Sequence, residues 1–262
     1  MVMLSVIMPT IRTQLLHNVY NSLVDSFHGT WELVLVGPNP VPQDLLNTGH
    51  VRWIQSYRSP IVCRQQALLA AEGEWICYAA DDVTFIRASL DIAYQNVERH
   101  NLDYKFIVVG KYLENVNARV ADNVGMRQDN YYHLNFHDDL KEIMSKFPDW
   151  LLINTGLVSK KLLLEVGGWD CDFEACAMAC CDLSLRLQNY GATCFLQHEP
   201  IFISDWEPER QGDHAPIHDA QTEHDIPMFM GIWKDPASVD RKVVDLNKWQ
   251  SMPEKWVRRF NW

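Results

Sequence analysis

Short apolar runs and amphipathic segments alternate along the N-terminal part of this chain, and that order constrains the fold more than any other feature. The apolar runs occupy residues 4–8, 33–36, 51–54 and 75–79, and the longest amphipathic segments occupy 13–27 and 61–71. Short apolar runs are typical of buried strands, and helical spacing of apolar residues between them indicates crossover helices. The sequence therefore predicts an α/β fold with a largely parallel sheet flanked by helices.

The ends of these runs are where ligand-binding residues are expected. In an open sheet of this kind, ligands bind beyond the carboxyl ends of the strands. Pro9 and Thr10 follow the first run, residues 37–40 follow the second, and residues 79–83 follow the fourth. We therefore expect these three segments to form the functional site.

An acidic pair, Asp81 and Asp82, lies at the end of the strand predicted at 75–79, after Ala80. Hard divalent cations such as Mn²⁺ and Mg²⁺ prefer oxygen ligands and leave positions open for substrate phosphates. Because neighbouring strand residues point to opposite sides, only one of these carboxylates is expected to bind the metal. The alternative is that the pair begins a turn or caps the next helix. Spacing alone leaves both interpretations open.

Charge and composition narrow the function. The chain has 262 residues, with 23 basic and 34 acidic side chains and a formal charge of −11, which disfavours binding to nucleic acids or anionic membranes. Its seven cysteines are an odd, irregularly spaced set, which predicts free thiols and a cytoplasmic location. Zinc binding by the cysteines at 171–181 is the less favoured alternative. No run approaches the ~20 apolar residues of a transmembrane segment, and residues 1–9 do not resemble a signal peptide.

Several segments, in order, resemble family 2 glycosyltransferases. SVIMPT at 5–10 and WELVLVG at 31–37 resemble the first two strands of that family, and CRQQALLAAEGEWICYAADD at 63–82 resembles its helix, strand and DxD region. GGWDCDF at 167–173 and CCDLSLRL at 180–187 resemble its later acceptor-side motifs. The resemblance covers roughly residues 4–205. It implies a GT-A fold with a mixed, mainly parallel sheet flanked by helices.

The resemblance also implies a donor and the residues that bind it. The donor is a UDP-sugar or similar nucleotide-sugar, and the acceptor is a carbohydrate or another hydroxyl compound. Pro9 and Thr10 are implied to lie beside the nucleotide base, with Arg64 near the nucleotide. A surface position on an amphipathic helix is the alternative for Arg64. Arg58, in the preceding loop, is a further candidate for a phosphate contact.

The implied metal is Mn²⁺ or Mg²⁺, bound by Asp82 at the last position of the DxD. Related enzymes often provide a histidine to the metal from a late loop, and His214 or His218 is implied in that role. A solvated loop histidine is the alternative for either residue.

The chain departs from the family pattern at two donor positions. The usual acidic residue after the second strand is absent, which leaves Asn39 or backbone groups to contact the base. The first DxD position is Ala80, so Asp81 is the residue implied to bind the ribose.

A third departure concerns the catalytic base. The family's Glu-Asp pair aligns with Ala179 and Cys180, although an inverting transfer needs a base near the attacking hydroxyl. Asp182 is our candidate, with a helix N-cap as its alternative role. A displaced base, a retaining mechanism and a catalytically inactive protein all stay open.

The sequence therefore predicts a GT-A glycosyltransferase domain at 1–205 and a Trp-rich lid and C-terminal tail at 206–262 that pack on the same domain. The predicted function is metal-dependent transfer of a hexosyl or N-acetylhexosaminyl group from a nucleotide-sugar to a hydroxyl acceptor. The main alternative is an inactive GT-A-like module that binds nucleotide-sugars. A nucleotidyltransferase is less favoured, because the sequence contains no glycine-rich phosphate loop with a lysine.

Overall fold

Nine strands and eight helices are seen in the part of the chain that the computed structural model describes, residues 2–114, 119–120, 150–204, 212–235 and 240–260. The strands are β1 (Leu4–Pro9), β2 (Trp31–Gly37), β3 (Val51–Gln55), β4 (Trp75–Tyr78), β5 (Val83–Phe85), β6 (Phe106–Glu114), β7 (Arg119–Val120), β8 (Gly156–Ser159) and β9 (Thr193–Ser204). The helices are α1 (Leu16–Ser26), α2 (Gln43–Leu46), α3 (Pro60–Ala70), α4 (Ser89–Arg99), α5 (Lys160–Glu165), α6 (Cys176–Asn189), α7 (Ala215–Ala220) and α8 (Ile226–Lys234).

These strands form one mixed sheet in the order β3-β2-β1-β4-β8-β6-β9-β5, with β7 paired to β6. The first half is parallel, since β1 pairs in parallel with β2 and β4, and β2 with β3. Strand β8 is antiparallel to both β4 and β6, and β5 is antiparallel to β9. The predicted α/β fold with a mixed sheet flanked by helices is confirmed.

Alternate residues of β1 face two different cores. Val6 and Met8 pack in one cluster with Leu16 of α1, whereas Ile7 packs in the other cluster with Ile61 of α3. Successive side chains of a strand point to opposite faces, so a continuous apolar strand is buried on both sides. Helices therefore cover the two faces of the parallel half-sheet, and the carboxyl ends of its strands lie at one edge.

Two adjacent glycines follow α5 and bring the chain close to α3. Gly167 and Gly168 have positive φ angles of 86° and 70°, which glycine adopts without steric strain. A Cβ at Gly168 would lie 2.1 Å from Oε1 of Gln65, and the same oxygen accepts a 3.0 Å hydrogen bond from the backbone of Trp169. The glycine pair of the GGWDCDF motif thus permits close packing of this loop on α3.

Helix α6 begins at Cys176, well before Asp182. Its N-cap residue is Ala175, so Asp182 lies in the interior of the helix and the predicted capping role is wrong. The helix ends before a glycine, because Gly191 has a φ of 96° and the backbone N–H of Ala192 donates to the carbonyl of Leu187 at 3.1 Å. This is the hydrogen-bonding pattern of a glycine-terminated helix.

The segments at 212–235 and 240–260 pack on the sheet domain. Phe229 and Trp233 of α8 belong to one of its two main cores, and the backbone N–H of Val244 donates to the carbonyl of Val166 at 3.1 Å. The boundary predicted at 205/206 lies outside the described residues, as do Trp206 and Trp262. Within the described ranges, every helix is too short or too polar to cross a lipid bilayer.

Candidate functional site

A cavity of about 220 Å³ lies at the carboxyl ends of the parallel strands. Its walls come from the ends of β1 and β2, the β4–β5 turn, α3, the region around α7 and the C-terminal segment. The cavity brings together seven residues that the sequence analysis named as candidates, namely Pro9, Thr10, Arg58, Arg64, Asp81, Asp82 and His214. Their assembly agrees with the expectation that ligand sites lie at this edge of such sheets.

Gly37 allows β2 to approach β1 closely at the cavity wall. The backbone N–H of Thr10 donates a 2.9 Å hydrogen bond to the carbonyl of Val36. A Cβ on Gly37 would lie only 1.8 Å from the carbonyl oxygen of Thr10. Glycine at the end of β2 is therefore needed for the shape of this wall.

Asp81 holds the loop that follows β1. Its Oδ2 accepts hydrogen bonds from the hydroxyl of Thr10 at 3.0 Å and from the backbone N–H groups of Ile11 and Arg12 at 2.9 Å. Its Oδ1 accepts from Nε and Nη2 of Arg12 at 2.9 and 2.5 Å. Burial acts to raise the pKa of Asp81, but Arg12 and the backbone donors outweigh it and the pKa is lowered. Because both oxygens are engaged, this geometry favours a structural role over the ribose contact predicted from the sequence.

Asp82 has a different environment from its neighbour. One oxygen, Oδ2, lies 3.2 Å from Nη2 of Arg12, whereas Oδ1 is buried without a hydrogen-bond partner. Burial raises the pKa of Asp82, and Asp81 raises it further, although Arg12 opposes the shift. A buried carboxylate oxygen without a partner is energetically unfavourable, so Oδ1 is suited to a cation or a hydrogen-bond donor supplied by a ligand.

These residues fit the divalent metal that the resemblance implies. Asp82 and His214 line the same cavity. Among the described residues, no cluster of three or more His, Cys, Asp or Glu side chains could hold a metal. Mg²⁺-type sites often use only one or two carboxylates together with substrate phosphates. An Asp82–His214 pair is therefore suited to a metal that the donor helps to hold.

Arg64 is a buried cation, not the surface residue of the alternative interpretation. Its side chain lies in the cavity wall with 4% of its surface exposed. The guanidinium stacks near Tyr78 and Trp169, at 5.3 and 5.6 Å from the ring centroids, and donates to Sγ of Cys180 at 3.5 Å. Its Nε has no hydrogen-bond partner. A buried cation with neutral neighbours attracts an anion, which agrees with the predicted position near the nucleotide.

Ala179 and Cys180, which align with the catalytic acids of family 2 glycosyltransferases, lie in an apolar environment. Ala179 and Cys180 are both fully buried, and burial raises the pKa of Cys180 to about 12 even though Arg64 lowers it. A thiol with this pKa stays protonated near neutral pH and cannot serve as a base.

The structure does not support Asp182 as the catalytic base. Its carboxylate is fully buried and does not line the cavity. Oδ2 accepts from Nε of Arg186 at 2.7 Å, and Oδ1 accepts from Nε1 of Trp233 at 3.1 Å. A general base must reach the proton that it removes, whereas Asp182 links α6 to α8 inside the core.

Two further results concern residues that the sequence singled out or missed. Asn39 does not line the cavity, and its amide donates to the carbonyl of Ile11 at 2.7 Å.

The sequence analysis missed Arg12, which contacts both aspartates, and four aromatic or charged side chains that also line the cavity, namely Asp213, Trp256, Arg259 and Phe260. Arg12 could have been identified from the sequence, because it lies only three positions after Pro9, at the end of the first predicted strand.

The fold is shared with S. aureus TarS. Neither a protein-family model nor a curated protein matches the chain. Among solved structures, TarS 1–349 is 16% identical with a TM-score of 0.53, covering 78% of this chain and 60% of TarS 1–349. The structure of TarS 1–349 with UDP is 16% identical in sequence with a TM-score of 0.53, and the match covers 79% of this chain and 61% of TarS 1–349. The structure with UDP-GlcNAc is 17% identical with a TM-score of 0.51, and the match covers 81% of this chain and 60% of TarS 1–349. The chain therefore spans about three-fifths of TarS 1–349, and at this identity the likeness shows the fold alone.

Proposed function

We propose that this chain is a glycosyltransferase that uses a UDP-sugar or a related nucleotide-sugar as donor and a carbohydrate or other hydroxyl compound as acceptor. The observation that supports it best is one cavity at the strand ends that combines the buried cation of Arg64 with the unpartnered carboxylate oxygen of Asp82. A nucleoside diphosphate with its metal presents both an anion and a cation, and so complements both groups.

The TarS structures add support for the donor class. They share the fold and were determined with UDP and with UDP-GlcNAc. A UDP-linked hexose or N-acetylhexosamine is therefore the first donor to test. In this proposal, Pro9 and Thr10 contact the nucleotide at the end of β1, and Arg64 pairs with a phosphate.

Mn²⁺ or Mg²⁺ is part of the proposal, with Asp82 and His214 as the protein ligands. When bound, the metal neutralises charge on the departing diphosphate. Arg12 keeps Asp81 engaged with the β1–α1 loop, which leaves Asp82 as the carboxylate with an available oxygen.

The second candidate function is a nucleotide-sugar-binding module without transferase activity. It is favoured by the missing base, because Ala179 and Cys180 supply no carboxylate and Asp182 is enclosed in the core. The glycosyltransferase proposal therefore requires either a base from elsewhere, for which Asp213 lines the same cavity, or a retaining transfer.

Calorimetric titration tests the shared part of both proposals. UDP and UDP-GlcNAc are titrated with Mn²⁺ and with EDTA, and ADP and GDP serve as controls for the base. We expect UDP to bind with Mn²⁺ and to bind more weakly in EDTA. If no nucleotide or nucleotide-sugar in the set binds, both proposals are wrong.

Release of UDP separates the two functions. Each donor that binds is incubated with a panel of sugar and lipid-linked hydroxyl acceptors, and UDP is quantified by chromatography. Metal-dependent release above the rate without protein supports the transferase. Tight donor binding without any release across the panel supports the binding module.

A further inference from the structure

The C-terminal segment is attached to the rim of the cavity through specific backbone contacts. The backbone N–H of Trp256 donates to the carbonyl of Tyr57 at 2.8 Å. Nη1 of Arg58 donates to the carbonyls of Trp249 and Met252 at 2.7 and 2.6 Å. These contacts fix the segment against the loop before α3, so the residues that follow Trp256 reach the donor cavity in a defined position.

Arg259 is the cation that this segment brings to the cavity wall. Its Nη2 donates to the backbone carbonyl of Asp213, and its guanidinium lies 5.9 Å from the ring centroid of Trp256. Burial lowers the pKa of Arg259, although the charges of Asp213 and Asp81 oppose this shift. In the described ranges, no carboxylate forms an ion pair with it within 4.0 Å.

Three other arginines lie near Arg259. Arg12 is paired with Asp81, and Arg58 holds the backbone of the C-terminal segment. Arg258, the neighbour of Arg259, forms ion pairs with Glu174 and Glu223 at 2.5 and 2.7 Å and does not line the cavity.

Three arginines in the cavity wall therefore form no ion pair with a carboxylate among the described residues, namely Arg58, Arg64 and Arg259. Arg58 already donates to two backbone carbonyls from one nitrogen, so Arg64 on α3 and Arg259 in the C-terminal segment are the two that we consider for an anion. They come from parts of the chain that are far apart in sequence but face one cavity. A partly buried cation without a counter-ion favours an anionic ligand, and arginine suits phosphate oxygens because its guanidinium donates several hydrogen bonds.

We propose that Arg259 binds the diphosphate of the nucleotide together with Arg64, which makes the C-terminal segment part of the donor site. This inference rests on the proposed function and adds a binding residue to it. The guanidinium of Arg259 is proposed to contact the phosphates and not the nucleoside, because the nucleoside carries no negative charge.

The test compares ligands with and without phosphate. UDP, inorganic pyrophosphate and uridine are titrated against the wild type, Arg259→Ala and Arg259→Gln. The glutamine keeps a donor for the carbonyl of Asp213 but removes the charge. The matched control is Lys255→Ala, which removes one positive charge from an exposed side chain outside the donor cavity.

We expect both Arg259 variants to bind UDP and pyrophosphate at least about tenfold more weakly, since each loses a charge-assisted hydrogen bond to a phosphate oxygen. Uridine affinity should stay unchanged, and Lys255→Ala should resemble the wild type with all three ligands. Thermal unfolding verifies that each variant is folded.

Three outcomes would overturn the inference. Unchanged UDP affinity in Arg259→Gln shows that the cation does not contact the phosphates. An equal loss for uridine and UDP shows that Arg259 only supports the shape of the site. If the wild type binds neither UDP nor any nucleotide-sugar, the proposed function fails and the inference fails with it, whereas the first two outcomes leave the proposed function standing.

Discussion

Nε1 of Trp233 donates a 3.1 Å hydrogen bond to Oδ1 of Asp182, and both side chains are fully buried. The second oxygen of Asp182 accepts from Nε of Arg186, which is also buried and donates to the carbonyls of Val166 and Gly168. The carboxylate of Asp182 thus connects α6 to α8, and its partner Arg186 extends the connection to the loop after α5. The connection explains why an acidic residue is needed inside an apolar helix.

Replacing Asp182 with alanine is expected to destabilise the protein by about 3–5 kcal/mol, because it leaves Arg186 as an uncompensated buried charge. Asp182→Asn keeps a hydrogen-bond acceptor and should be less damaging. Urea unfolding followed by fluorescence measures both changes. If Asp182→Asn unfolds like the wild type yet loses sugar transfer by about 100-fold or more, the catalytic role returns.

Asp81 should make stability depend on acidic pH. The pKa of Asp81 is lowered below 3.8 in the folded protein. Its contribution to the free energy of unfolding is therefore complete above the pKa of Asp81 in the unfolded chain, and it is lost as the pH falls through the pKa in the folded protein. Asp81→Asn removes this contribution. The difference in unfolding free energy between wild type and variant should be largest at about pH 6 and shrink below 3.8. A difference that does not change with pH would contradict the role of the Arg12–Asp81 ion pair.

The strands of the parallel half-sheet were predictable because their signals are local. The apolar runs at 4–8, 33–36, 51–54 and 75–79 differ from the observed strands by at most two residues at either end. A strand that is buried on both faces is apolar throughout, whatever its partners are. The position of Asp81 and Asp82 at the cleft follows from the same pattern, since both lie in the short turn between β4 and β5.

The roles of the two aspartates were not predictable, because they depend on distant partners. Asp81 is engaged by Arg12, which lies 69 positions away, whereas Oδ1 of Asp82 has no partner. A helix cap was the alternative to the predicted catalytic role of Asp182, because the helix start before it carries no recognisable sequence signal. The true N-cap, Ala175, makes no side-chain capping bond.

Gly37→Ala is expected to weaken donor binding more than it weakens the fold. A Cβ would meet the carbonyl of Thr10 at 1.8 Å, so the ends of β1 and β2 must separate at the cavity wall. Calorimetric titration with UDP should show a loss of about tenfold or more, and thermal unfolding should show a smaller effect than a substitution in the strand interiors. Gly231→Ala in α8 is the matched control, because a Cβ there has nothing within 4 Å and the residue does not have a positive φ. Wild-type affinity in Gly37→Ala would mean that nucleotide does not use this wall.

Arg64→Met is expected to separate stability from donor binding. Methionine fills a similar volume beside Tyr78 and Trp169 and removes a buried cation that has no carboxylate partner among the described residues. The unfolding free energy should therefore stay the same or rise, while UDP affinity falls by about 1–3 kcal/mol. Urea unfolding and titration of the same preparation measure the two effects. A stability loss with unchanged UDP affinity would show that Arg64 serves only packing.

Asp82 offers the sharpest test of the metal site. Asp82→Asn keeps the size of the side chain but removes the charge that a divalent cation requires. Because Oδ1 has no partner and burial raises the pKa of the carboxyl, the substitution should not destabilise the fold. The wild type should bind UDP at least about tenfold, or ~1.4 kcal/mol, more tightly with Mn²⁺ than with EDTA. Asp82→Asn should bind UDP equally in both conditions, at the affinity that the wild type shows in EDTA. An unchanged effect of Mn²⁺ in the variant would mean that other residues hold the metal, and an absence of any Mn²⁺ effect in the wild type would remove the metal from the proposed function.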